Sequence, residues 1–218
     1  MDDLALVPIL AESDALFQRL RAVGVDAESM DDFAARAGDF DAHVDDIIQL
    51  LSSIRSRRVK DGFVRTIAKM PAAKGRAVPE LIRQFRQAHA DHDRTLGWTV
   101  GLAIGATATP HDFERLAEIA TDRRYGTTRQ MLVEGLGRLN HPDCRDTLVS
   151  LLGDEDVVGH AVRGLRQLKD PSAIAAVGPL SEHPRTWVRN EARSTLRALE
   201  KARTRKASPP RQPRGRDH

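Results

Sequence analysis

Apolar side chains recur through the middle of the chain at fixed offsets. Leu96, Val100, Ile104, Thr107 and Pro110 have the spacing of Thr128, Leu132, Leu136, Leu139 and Pro142. Val157, Ala161, Leu165, Leu168 and Pro171 share it, and Val188, Ala192, Leu196 and Leu199 form a fourth copy without the proline. Residues 0, +4, +8 and +11 fall on one face of an α-helix. A period of about 30 residues means tandem helix pairs, none of which buries its apolar face alone, so the copies must stack as an α-solenoid. Two threonines, Thr107 and Thr128, stand where the other copies place an apolar residue.

The same pattern marks the partner helices. An earlier inner helix holds Val59, Phe63, Ile67 and Met70. Outer helices are expected around Val44, Ile47, Ile48 and Leu51; Val78, Leu81, Ile82 and Phe85; Phe113, Leu116 and Ile119; Leu148, Leu151 and Leu152; and Ile174, Val177 and Leu180. The proline after an inner helix ends it and suits the first turn of the next, where an N–H is not needed. Small residues at +4 (Val100, Ala161, Ala192) should let neighbouring helices approach, with Leu132 the exception.

Residues 3–23 read as a helix whose start Pro8 pushes later, ended by Gly24. Ser29 to Asp32 resembles a capping box that opens a short helix stopping near Gly38. Neither piece fits the repeat, as expected of a terminal cap. The chain therefore reads as all-α: a right-handed α-solenoid of about five helix pairs over 41–202, an atypical N-terminal helical cap over 1–40, and a disordered basic tail over 203–218.

Of the 218 residues 40% are hydrophobic but only 4% aromatic, so Leu, Ala and Val must do most of the packing. No sustained two-residue alternation suggests a strand. The net charge of +3 hides an asymmetry. Residues 201–218 carry seven basic side chains against Asp217, a net +6, which leaves the body at −3. The first 46 residues carry twelve acids against Arg19, Arg21 and Arg36. A uniformly basic nucleic-acid binder would not look like this. Cys144 is alone, so neither an intramolecular disulfide nor a multi-cysteine zinc site is possible. The acidic start lacks a secretory n-region, and no apolar run approaches the ~20 residues that span a bilayer. The expectation is a cytoplasmic protein with no membrane association.

Gly153-Asp-Glu-Asp-Val-Val-Gly-His160 and Trp187-Val-Arg-Asn-Glu-Ala192, each followed by Leu at the matching offset, resemble HEAT-like repeats of the type named after phycobilisome lyases. The resemblance covers roughly residues 40–200. Tyr125-Gly126 and Arg129-Gln-Met131 add a likeness to small bacterial HEAT-repeat proteins. It implies that the inner helices line a concave face where partners bind. It transfers no activity.

On that face the candidate partner-binding residues are Trp98, Arg129, Glu134, His160, Arg163, Trp187 and Arg189. The two tryptophans read either as anchors, the type of residue that dominates interfaces, or as fillers between repeats. Gly159 before His160 permits close approach of a neighbouring backbone or a ligand, and His160 is either a polar contact or bonded to the next repeat. Arg129 and Arg189 share a column with Lys60 and form either a ladder with Glu155, Asp156 and Glu191 or an anion-binding stripe. Cys144 lies at a helix start with no base near it in sequence, a poor nucleophile.

Enzyme readings lack their residues. Deoxyhypusine hydroxylase, also built of HEAT-like repeats, needs His-Glu pairs for iron; here no histidine precedes a glutamate. HEAT-like DNA glycosylases use an aspartate with their tryptophans, but Leu102 stands one turn after Trp98. Gly101 to Gly105 lacks the Lys-Ser/Thr of a phosphate loop. The sequence thus points to a non-catalytic protein-binding scaffold with no cofactor, no metal, and another protein as partner. A nucleic-acid accessory acting through Lys201, Arg203, Arg205, Lys206 and Arg211 is the alternative. A HEAT-type lyase or metal-dependent hydroxylase is a second alternative.

Overall fold

A computed structural model of the chain describes residues 3–207. Those residues form twelve α-helices and no strand: α1 (Asp3–Ala22), α2 (Met30–Ala35), α3 (Val44–Leu50), α4 (Arg57–Ile67), α5 (Val78–Ala90), α6 (Arg94–Thr107), α7 (Phe113–Thr121), α8 (Gln130–Leu136), α9 (Cys144–Ser150), α10 (Val158–Leu168), α11 (Ile174–Val177) and α12 (Thr186–Ala207). The inner helices pack in succession, α4 on α6, α6 on α8, α8 on α10 and α10 on α12. The odd-numbered helices from α3 to α11 are the outer members. This is an all-α solenoid.

The repeat offsets map onto equivalent layers. At +4, Phe63, Val100, Leu132, Ala161 and Ala192 are all buried. At +8, Ile67, Ile104, Leu136 and Leu165 are buried, and Leu196 is partly so. The two threonines in apolar positions are buried as well. Thr107 returns its hydroxyl to the Ala103 carbonyl at 2.9 Å, so no polar group is stranded. Pro71, Pro110 and Pro171 each open a short 3₁₀ turn leading into or towards an outer helix. Two residues before their prolines, Asn140 and Lys169 take the left-handed conformation that closes an inner helix.

Capping sets the starts of several helices. The Asp93 carboxylate accepts the Leu96 N–H at 2.9 Å to open α6, and Ser56 accepts from Val59 at α4. Ser29 caps α2 by accepting the Asp32 N–H at 3.1 Å. The Asp32 carboxylate returns to the N–H of Glu28 rather than of Ser29, so the expected box is displaced by one residue. Helix α1 begins at Asp3 and runs through Pro8, which therefore does not delay it. Proline there forfeits only the bond to the Leu4 carbonyl. Gly24, at φ +88°, ends the helix as expected. Both α1 and α2 pack on α4, and Phe33 stacks on Phe63 with centroids 5.4 Å apart.

At the other end α12 runs through Ala207, past the expected start of the tail at 203. Ala, Lys and Arg favour helix, and the first breakers are Pro209 and Pro210. The expected tail residues 208–218 lie outside the described residues.

Close packing of the inner layer depends on glycines. Gly97, Gly101 and Gly105 stand one turn apart on α6; Gly101 and Gly105 face α8, and Gly97 faces the Thr128 side chain just before it. A Cβ on Gly135 would lie 2.7 Å from the Cα of Gly105, and one on Gly105 would lie 2.9 Å from the Cα of Gly135. A Cβ on Gly137 would overlap the carbonyl oxygen of Gly164 on α10. The obstacle in each case is backbone, which cannot swing aside. Gly178 has no neighbour within 4 Å of its would-be Cβ and lies in the right-handed helical region. Gly137→Ala is therefore expected to cost about 1–3 kcal/mol or more in urea unfolding, by overpacking. Gly178→Ala is expected to be neutral or to stabilise by about 0.4–1 kcal/mol. Equal midpoints for the two variants would refute the glycine contact.

Candidate functional site

The exposed side of the inner layer gathers a polar cluster from three consecutive repeats. Glu134 comes from α8, His160, Arg163 and Gln167 from α10, and Trp187 and Glu191 from α12. Four of these six, Glu134, His160, Arg163 and Trp187, were candidates from the sequence. Arg163 bridges the two acids: its Nη1 lies 3.5 Å from Glu134 Oε2 and its Nε 3.4 Å from Glu191 Oε2. Arg166 adds a second contact to Glu191 Oε2 at 3.2 Å. Gln167 Nε2 donates to Glu134 Oε1 at 3.0 Å.

Burial makes this cluster unusual. Glu134 is 8% exposed. Glu134 Oε2, His160 Nδ1, Arg163 Nε, Gln167 Oε1 and Glu191 Oε2 are all buried atoms without a hydrogen-bond partner among the described residues. The only other such atom, Arg185 Nε, belongs to the loop before α12. Three of them, Glu134 Oε2, Arg163 Nε and Glu191 Oε2, keep ion-pair contacts at 3.2–3.5 Å, so the pairing is loose, and His160 Nδ1 and Gln167 Oε1 are the two that carry the cost of an unsatisfied buried group, about 1–3 kcal/mol each. Burial pushes the His160 pKa down, and Arg163 lowers it further, while Glu134 and Glu191 act in the opposite direction. The imidazole is therefore held neutral, with one ring nitrogen a donor and the other an acceptor.

Trp187 closes one side. Its six-membered ring lies directly over Gly159, where any Cβ would collide with it, and it meets the His160 ring edge-on with centroids 5.5 Å apart. It nonetheless stays 42% exposed. The close approach that Gly159 allows is thus taken by a side chain of the next repeat. Trp98 is 38% exposed and lines a separate cleft with Thr95, Thr99 and Gln130.

Two candidates are not on this surface. Arg129 is completely buried. It donates to the Ala120 carbonyl at 2.7 Å, the Gly126 carbonyl at 3.1 Å and Asp154 Oδ2 at 2.6 Å. Gly126 (φ +50°, ψ −135°) is the non-helical point of the turn that holds this guanidinium. Arg129 consequently cannot meet a partner; it joins two adjacent repeats. Arg189 is spent on the loop before its own helix, donating to the His183 carbonyl at 2.8 Å and to Thr186 Oγ1 at 3.2 Å. The expected ladder does not form along the column: Arg129 pairs with Asp154, which was not among the expected acids, and Glu155 pairs with Arg185, which is not in the column, at 2.5 Å. Lys60 instead donates to Gln84 at 2.8 Å.

Cys144 is buried, and desolvation pushes its thiol pKa up, which keeps it protonated and unreactive. Lys201, Arg203 and Arg205 are exposed on the last turns of α12, and Lys206 belongs to the same helix. Arg211 lies outside the described residues. Among the described residues no group of three or more His, Cys, Asp or Glu side chains is placed to hold a metal ion. No helix there is long and apolar enough to cross a membrane.

Residues 113–197, which span α7 through most of α12, match the family model of HEAT repeats. Over those residues the chain consists of HEAT-like helical repeats. The cluster of Glu134, His160, Arg163, Trp187 and Glu191 lies wholly inside the HEAT match. HEAT-like stacks of this kind present extended surfaces to other proteins. No curated protein matches the sequence. An engineered protein of solved structure is 17% identical, covering 88% of this chain and 97% of its own, with a TM-score of 0.48.

Sequence reasoning missed Gln167 and Arg166, which complete the cluster one turn beyond Arg163. The available signal was the spacing Arg163 to Gln167, four residues along the exposed face. It also missed Asp154, the partner of the buried arginine. Burial alone would raise the Asp154 pKa, but hydrogen bonds from Arg129 and the Asp156 N–H, with the charges of Arg129 and Arg123, hold it below the usual carboxylate value. A depressed folded-state pKa contributes stability that is present above the unfolded value of about 3.9 and lost as pH falls through the folded one. Unfolding free energy should therefore fall steeply below about pH 4. Asp154→Asn should lower stability at pH 7 by about 3–5 kcal/mol, because Arg129 stays buried without its counter-charge, and should flatten the acid limb. An acid limb as steep in the variant as in the native chain would contradict the pairing.

Proposed function

We propose that the protein is a non-catalytic scaffold that holds a segment of another protein against the inner-helix, concave side of its stack, centred on α8, α10 and α12. The observation that carries this reading is the joint presence of a half-exposed Trp187 and, beside it, a buried polar cluster whose ion pairs are loose and in which His160 Nδ1 and Gln167 Oε1 have no hydrogen-bond partner among the described residues. A partner that inserts a polar side chain or main-chain amide next to the indole gains the apolar contact and satisfies groups already desolvated. Such sites, with an aromatic anchor beside a paired arginine, are where binding energy concentrates. The acids are pre-paired with Arg163, so the surface presents both donors and acceptors and suits a polar, mixed-charge segment better than a uniformly charged one.

The enzyme readings have no support in this cluster. Its acids are bridged by guanidinium groups, its histidine meets a tryptophan edge-on, and the chain's single thiol, Cys144, is buried.

The test is quantitative affinity capture from the native cell extract, comparing the native chain with Trp187→Ala combined with Arg163→Glu. Partner recovery should fall about thirtyfold, the equivalent of one hot spot of ~2 kcal/mol. Glu114→Lys, on an exposed position of outer helix α7, should leave recovery unchanged. Equal recovery with the double variant would remove this face from consideration.

A further inference from the structure

We propose that Arg94 and Trp98 form a binding site for a phosphate ester carried on a flat ring. Two open clefts adjoin at the start of α6. One, of about 270 Å³, runs from His89 and His92 to Arg124 and Tyr125. The other, of about 360 Å³, lies against Trp98, Thr95 and Arg65. Arg94, Thr127 and Thr128 line both, so the two are continuous at the guanidinium. Together they have the scale of a small-molecule site.

No carboxylate lines either cleft. Three of the nearby acids are already engaged, and the Asp156 carboxylate stands behind Gly126 without lining the cleft. Asp61 holds Arg65 at 2.7 Å and accepts from Thr99 at 2.6 Å. Asp122 holds Arg124 at 2.7 Å. Asp93 caps α6, with its other oxygen 3.9 Å from Arg57. Arg94 pairs with no acid among the described residues; its Nη2 donates to Thr127 Oγ1 at 2.7 Å, which braces the side chain and leaves most of its five N–H donors open. His89 is held edge-on against the Tyr125 ring, centroids 4.8 Å apart.

The donor array decides the anion. One guanidinium satisfies the two oxygens of a carboxylate. A phosphate monoester has three terminal oxygens and carries close to two charges, and it suits a wider set: Arg94, the imidazoles of His89 and His92, and the Thr127 hydroxyl. The second cleft decides what the phosphate is attached to. A planar group leaving the anion at Arg94 meets the exposed indole of Trp98, and an indole face accepts any aromatic ring irrespective of its substituents. Aryl phosphates and nucleoside phosphates share this chemistry. The site goes beyond the scaffold reading, since neither cleft includes Trp187, Glu134, His160 or Arg163.

Calorimetric titration of the full chain with phenyl phosphate, adenosine monophosphate, inorganic phosphate and benzoate tests the assignment. A ring-bearing phosphate should bind at least about tenfold more tightly than inorganic phosphate or benzoate, the ring and the dianion each contributing. The stronger of phenyl phosphate and adenosine monophosphate identifies the source of the ring. Arg94→Gln should weaken that binding at least about tenfold, and Trp98→Ala should reduce it to the level of inorganic phosphate. Trp187→Ala should change nothing here, whatever it does to partner capture, so the two readings fail separately. Phenyl phosphate should also quench Trp98 emission in Trp187→Phe, a readout that leaves the cleft intact. Absence of binding by both ring-bearing phosphates at about 10 mM, which is weaker than any useful affinity, would overturn the proposal. So would benzoate matching phenyl phosphate, or a folded Arg94→Gln chain binding like the native one.

Discussion

Gly105 and Gly135 face each other across α6 and α8 so closely that a methyl group on either would enter the backbone of the other. One interface further along, a methyl group on Gly137 would likewise enter the backbone of Gly164. This proximity governs the central repeats. Main chain against main chain fixes the separation and register of successive helices, and everything displayed on the exposed side inherits that register. Helices held apart by leucines could slide or tilt through alternative side-chain packings at modest cost. Helices in backbone contact cannot, because no rotamer change relieves the overlap. Glu134, Arg163 and Glu191 meet across three layers since those layers have one relative position.

Buried polar links along one edge supply a second, more selective constraint. Arg129 gives its guanidinium to two carbonyls of its own repeat and to Asp154 of the next, which closes the turn around Gly126 and ties it to its neighbour in a single step. Hydrophobic contact alone would leave the loops free to move while the helices stayed stacked. A buried ion pair gives little net stability, and its loss is costly because one charge remains without its partner. Its effect is therefore to exclude wrong arrangements of the repeats. Arg185 with Glu155, and Arg57 facing Asp93, repeat the device where solvent screens it.

The periodic part of this architecture is legible in a single sequence because it depends on a residue's class. Val100, Leu132, Ala161 and Ala192 differ in size but share a face, and a face is what helical spacing reports. The parts that were not legible depend on a residue's exact neighbours. Glycine on a helix reads as a weak point until a second helix is known to lie against it, so Gly101 and Gly105 gave a failed phosphate-loop comparison instead of a packing contact. Arg129 and Arg189 occupy the same column, but only Arg129 turns inward, towards a glycine turn, while the partly exposed Arg189 lies along its own loop. The cluster was half readable: Glu134, His160 and Arg163 stood at exposed offsets, whereas Gln167 lay past the offsets that a four-residue comparison covers. The C-terminal boundary failed more simply. Charge suggested a tail from 203, but helix propensity continues until the prolines.

A rigid stack with an unsatisfied polar cluster has a consequence for recognition. Association ordinarily loses free energy through ordering side chains and stripping water from polar groups that then pair imperfectly. Here Trp187 is already seated on Gly159, and the buried oxygens of Glu134, Gln167 and Glu191 are already dehydrated within the fold. Both losses were incurred on folding, at the expense of stability. The glycine contacts and the Arg129 clamp can carry that expense because they make the stack more rigid than its small apolar side chains would. On the proposed scaffold reading, a matching segment would gain affinity without a larger interface, and a mismatched one would leave His160 Nδ1 and Gln167 Oε1 without a partner. The stiffness of the backbone layer and the selectivity that the scaffold reading assigns to the exposed side would then have one origin, the contact of α6, α8 and α10.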